Sequence, residues 1–73
     1  MTKSGVILTA RERMIAATFA EGWTGAQVAV AVGSTAWSVM STVSNVRTKY
    51  RCAGVDAGTK IRLLRALTVD GIL

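Results

Sequence analysis

VAVAVGSTAWSVMSTVSNVRTKY, Val28 to Tyr50, is the stretch on which the fold turns. After Gly33, Val39, Val43, Val46 and Tyr50 recur at i, i+4, i+7 and i+11 and so lie on one stripe of a helix. Ser34 or Thr35 can cap its start by offering a side-chain oxygen to a first-turn amide. Upstream, Thr24-Gly-Ala-Gln27 fits a capping box, and Trp23 before the cap is placed to staple against Val28. Valines at 28, 30 and 32 alternate as a strand would. The cap at one end and glycine at the other favour a short helix instead, with Val28, Ala29 and Val32 inward. Gly33 suits a left-handed turn between the two helices. Ala29, four residues before it, permits a close crossing, and Val28, Val32 and Val39 fill the wedge beneath.

Working outward, Thr9-Ala-Arg-Glu12 forms another capping box, which opens a helix that Gly22 ends; Ile15 and Phe19 share a face, supported by Ala16 and Met14. Residues 51–58, with two glycines, read as a loop. A last helix from about Thr59 carries Ile61, Leu64 and Leu67 toward the core and leaves Leu63, Ile72 and Leu73 over. The expected architecture is all-α, with helices at about 10–21, 25–32, 36–50 and 59–69. Residues 1–7 lack periodicity and read as a flexible tail, so the domain is expected to span 8–73.

With 73 residues, 51% of them hydrophobic, the chain suffices for one small domain. A domain of this size buries only about 60% of its chain surface, so a deep substrate pocket is not expected. Nine Lys and Arg oppose four Asp and Glu, a net charge of +5. Arg47, Lys49, Arg51, Lys60, Arg62 and Arg65 cluster in the last third, which favours a polyanion as partner, nucleic acid before an anionic membrane surface. With one cysteine and no histidine, neither a disulfide framework nor a Cys/His zinc site can be built. Paired carboxylates at useful spacing are missing, Cys52 has no evident base, and no glycine-rich phosphate loop follows a strand, so the expectation is no enzyme and no cofactor. The N-terminus is too short in apolar residues for a signal peptide, and no stretch approaches the roughly 20 residues of a membrane span. A cytoplasmic protein without a membrane partner is expected.

LTARER (8–13), AEGWT (20–24), VAVAVG (28–33), Ser38-Val39, Val43-Ser-Asn45-Val46, Gly54-Val55 and the terminal Asp-Gly-Ile-Leu together resemble the LuxR/GerE-type helix-turn-helix DNA-binding domain, over residues 8–73. The resemblance implies four helices, the third in the DNA major groove and the fourth mediating a homodimer. Carried over by position, it implies Trp37, Met40, Ser41, Ser44 and Arg47 as base-facing residues. Thr24, Gly25, Thr48, Lys49, Arg51 and Lys60 are implied as phosphate contacts. Amides at helix starts and basic side chains hold phosphate without reading sequence, whereas groove-facing side chains discriminate bases. The implied function is a small bacterial or phage transcriptional regulator that binds double-stranded DNA.

Against the family pattern, Trp37, Met40 and Thr42 stand where basic residues and a histidine are common. The loop after Gly54-Val55 holds Asp56, Ala57 and Gly58 in place of an arginine. Three readings of Trp37 therefore stay open: packing into a cluster near the turn, contact with a thymine methyl or sugar, or anchoring a protein interface. The last of these makes the alternative an adaptor or antiactivator that docks on another regulatory protein through the Trp37 and Met40 face.

Overall fold

The computed structural model describes residues 3–73, and every regular element in that range is a helix. In chain order these are α1 (Ala10–Ala20), α2 (Gly25–Val32), α3 (Ala36–Cys52) and α4 (Lys60–Val69). Each begins at a threonine, at 9, 24, 35 and 59, whose side chain accepts from an amide in the first turn. Both expected capping boxes form, with Glu12 reaching back to the Thr9 amide and Gln27 to that of Thr24, each at 2.9 Å. Between α2 and α3, Gly33 adopts φ 68° and ψ 38°. A side chain there would strain this left-handed conformation, so glycine makes the corner at low cost.

Helix α3 runs two residues past the expected end at 50 and packs against both α1 and α2, while α1 also contacts α4. Val39, Val43, Val46 and Tyr50 are completely buried, as the stripe requires. Serine, threonine, asparagine and valine cost up to about 0.7 kcal/mol each in helix propensity relative to alanine. Burial of each stripe residue contributes about 1.5–3 kcal/mol, so packing rather than propensity holds α3 helical. Ile15, Ala16 and Phe19 face the core from α1 and Val28 and Ala29 from α2, with Val32 partly buried against them.

Several expectations need correction. Met14 is half exposed rather than supporting the α1 core face. In α4 the buried side chains are Leu63, Ala66 and Leu67, whereas Ile61 is 72% exposed and Leu64 lies at the surface. The inward face is thus rotated from the one expected. Leu63, Ala66, Leu67 and Asp70 fall at i, i+3, i+4 and i+7, and Asp70 is held from two sides. Its carboxylate accepts from the Ser4 amide (3.0 Å), the Ser4 hydroxyl (2.6 Å) and the Tyr50 hydroxyl (2.8 Å). Turning Ile61 and Leu64 inward would carry Asp70 away from those donors.

The same node corrects the N-terminal boundary. Positions 1 and 2 of the expected tail lie outside the described residues. From Ser4 onward the segment belongs to the domain: Val6 and Leu8 are buried in the core, Ser4 bonds Asp70, and the Ile7 carbonyl accepts from Lys49 Nζ at 3.2 Å. Ile72, which seemed surplus, packs partly against the core.

Partial burial pushes the Asp70 carboxyl up, but hydrogen bonds from Ser4 and Tyr50, with further amide donation from Ser4 and Lys3, outweigh it and hold the pKa below its ordinary value of 3.8. Burial, then the hydrogen bond to Asp70 and the charge of that carboxylate, raise the Tyr50 phenol. A carboxyl depressed in the folded state stabilises it above the ordinary pKa, and that contribution is lost as pH falls through the folded-state value. Asp70→Asn is expected to cost about 1.5–3 kcal/mol at neutral pH, the worth of hydrogen bonds to a charged acceptor. It should also flatten the loss of stability below about pH 4. Urea midpoints of both proteins across that range measure the effect; equal slopes would show that the node does not govern acid unfolding.

Candidate functional site

With the valine stripe buried, the opposite side of α3 faces solvent. Trp37 is 80% exposed, which excludes the reading that packs it into a cluster beside the turn. Met40 is exposed to 40%, Ser44 and Asn45 are exposed, and Ser41 is partly so. These five residues line one shallow concavity of about 350 Å³. Trp37, Met40, Ser41 and Ser44 were singled out from sequence. Asn45 was quoted only as part of a motif, and its place four residues beyond Ser41 was the signal that it shares this face.

Met40 is held at the inner edge of the concavity. A Cβ placed on Gly25 would come within 2.9 Å of Met40 Sδ and 3.2 Å of its Cγ. Glycine at the first position of α2 thus gives the thioether a seat against the backbone of the neighbouring helix. Gly25 serves the face by making room for Met40, a role separate from any phosphate contact.

Farther along α3, Ser44, Arg47, Thr48 and Arg51 line a second cleft with residues 54–58, of about 570 Å³. Arg47 is half-buried, its guanidinium carbon 5.7 Å from the centre of the Phe19 ring, and its Nε is buried without an acceptor among the described residues. The ring holds the guanidinium group itself through a cation–π contact. Arg51 is exposed. The Thr48 hydroxyl donates to the Ser44 carbonyl at 2.9 Å, an internal use that leaves its oxygen able to accept.

Two further cations singled out from sequence are committed inside the chain. Lys49 Nζ lies 2.8 Å from Glu12 Oε1 and also donates to the Ile7 carbonyl, tying α3 to the start of α1. Partial burial raises the Glu12 carboxyl, but hydrogen bonds from Lys49 and Thr9 bring it below its ordinary value. Lys60 Nζ donates to the Trp23 carbonyl at 3.1 Å and sits 4.2 Å above the Phe19 ring centre. Lys60 and Arg47 therefore both lie against the Phe19 ring, and no feature of local spacing disclosed that shared ring. Thr24 accepts from the Gln27 amide as its cap role demands. Arg62 pairs with Asp56, both exposed.

The charge available for an outside partner on this side is thus narrower than the composition implies: Arg51 in full and Arg47 in part. Among the described residues no cluster of three or more His, Cys, Asp or Glu is placed to hold a metal ion, and no helix is long and apolar enough to cross a membrane. Comparison with models of known protein families, with curated proteins and with solved structures finds no match to this chain.

Replacing Gly25 with alanine tests the seat. Alanine gains about 1 kcal/mol of helix propensity, against the displacement of a flexible thioether. The stability of Gly25→Ala is expected to stay within about 1 kcal/mol of wild type, while Met40 moves outward. Methyl NMR of Met40 beside a urea titration reads both; an unshifted Met40 methyl would show that no such seat exists.

Proposed function

We propose that this chain is a LuxR/GerE-like helix-turn-helix regulator of transcription that lays α3 in the major groove of double-stranded DNA. The observation that carries the reading is the exposed side of α3, where aromatic, amide, hydroxyl and guanidinium groups stand on a helix whose other side is wholly buried. A helix so mounted projects side chains into a groove without disturbing its own core. Arg47 and Arg51 supply cations at the end of that face, and the unpaired amides in the first turn of α2 suit a phosphate. The chain's net charge of +5 favours the same partner. The surface of α4, where Ile61 and Val69 are exposed, supports a homodimer. Such a dimer would present two α3 helices to successive major grooves about 34 Å apart.

A second reading rests on a specific observation: Lys49 and Lys60 are engaged internally, and the most exposed large hydrophobic side chain of α3 is Trp37. On that reading the face is an adaptor surface that docks on another regulatory protein. Aromatic residues and methionine suit such contacts.

Titration with duplex DNA at several salt concentrations separates the two. Groove binding predicts affinity that falls linearly on a log–log plot against salt, with a slope of about −0.9 for each phosphate neutralised. Arg51→Gln together with Arg47→Met, which keeps volume against Phe19, should lower that slope by about one to two. Absence of DNA binding even at about 50 mM salt would refute the DNA reading. Retention of a defined regulator, lost on Trp37→Ala, would then support the adaptor.

A further inference from the structure

We infer that the base pairs read by the outward face of α3 are A·T pairs, with Trp37 and Met40 against thymine methyl groups and Asn45 on adenine. This rests on the DNA-binding reading above and adds the class of site that the protein selects.

The face has a definite order. Trp37 and Asn45 are eight residues apart, about 12 Å along a helix axis, close to the width of the major groove at about 12 Å. Within that span the concavity is lined by Trp37, Met40, Ser41, Ser44 and Asn45, with no arginine or lysine among them. Guanine is most often read by a bidentate cation on O6 and N7, and nothing in this segment can make that contact. What the segment does hold matches the other base pair. Asparagine can bridge N6 and N7 of adenine, and an exposed apolar surface covers the C5-methyl that thymine alone presents in the groove. The serine hydroxyls donate or accept and so tolerate either pair.

The two arginines fall outside this span. Arg51 is fourteen residues from Trp37, about 21 Å along the axis, a distance that suits backbone rather than bases. Arg47 has its guanidinium against the Phe19 ring, with Nε buried. Arg47 lines the second cleft with Thr48 and Arg51 and not the concavity around Trp37, the two sharing only Ser44. Cationic and apolar parts of the helix are therefore separated along its length, the first for phosphate and the second for bases. Met40, seated on Gly25, presents its thioether at a fixed height, whereas Trp37 stands free at the N-terminal end.

The test begins with selection of duplexes from a pool with a randomised core, retained by the full chain at low salt. The best duplex is then remade with deoxyuridine in place of thymine, a change that removes only the methyl groups. An A·T core is expected, with affinity reduced about fourfold for each covered methyl, the equivalent of one buried methylene-sized group. Trp37→Ala, at a position exposed enough to leave folding intact, should bind the thymine and deoxyuridine duplexes more nearly alike while keeping its salt slope. Asn45→Ala should lose preference for the A·T core. A selected G·C core, equal wild-type affinity for the two duplexes, or undiminished discrimination by Trp37→Ala would each overturn the inference while leaving DNA binding intact. If wild type retains no duplex at all, the DNA reading falls and this inference with it.

Discussion

One helix is buried along a single side, and the arrangement of the molecule follows from how that side is covered. Val39, Val43, Val46 and Tyr50 have no solvent exposure, so α3 cannot rotate about its axis without bringing a valine into water and a polar residue into the core. Either change costs a few kcal/mol in a domain whose total stability is of similar order. The outward set from Trp37 to Arg51 is therefore fixed as a surface before any partner is considered. Gly33 completes the constraint by turning the chain sharply enough for α2 to cover the first valine of the stripe.

At the other end of α3 the fastening is polar. Tyr50 is fully buried and its hydroxyl donates to Asp70, which in turn takes both donors of Ser4. One carboxylate thus joins the N-terminal segment, the last turn of α3 and the C-terminus of α4. In a small domain the apolar core has few layers, and such a node selects among packings that differ little in buried area. It explains why α4 turns Leu63 and Ala66 inward and leaves Ile61 outside, although both stripes have helical spacing.

The distribution of charge follows the same economy. A basic chain of this length could have offered most of its cations to a partner. Instead Lys49 closes α3 onto α1, Lys60 and Arg47 both rest on the Phe19 ring, and Arg62 pairs with Asp56. The cations left on the α3 face lie toward its C-terminal end, while the apolar and amide groups lie toward its start. This segregation gives the proposed interface its character: on the DNA-binding proposal, attraction for a polyanion and discrimination among its bases would fall to different parts of one helix.

The four helices, the capping boxes at Thr9 and Thr24 and the Gly33 corner were legible in the amino-acid sequence because caps and turns depend on residues three or four apart, while the third helix's cap lay open between Ser34 and Thr35. The buried stripe of α3 was legible because its period admits one face only, and Trp37, Met40, Ser41 and Ser44 came out opposite it by the same geometry. Local spacing could not foresee the burial of Val6 and Leu8, the inward face of α4, or the seat of Met40 on Gly25. Nor could it show that Lys49 and Lys60 are spent within the chain. Each depends on groups far apart in the chain, such as Ser4 with Asp70, Lys49 with Ile7 or Phe19 with Arg47. Local order comes from hydrogen bonds and periodicity that neighbours supply among themselves, so the sequence alone determined it. Which face is inside, and which charges remain free, is decided by distant groups competing for one small interior, and only the tertiary structure resolves that competition.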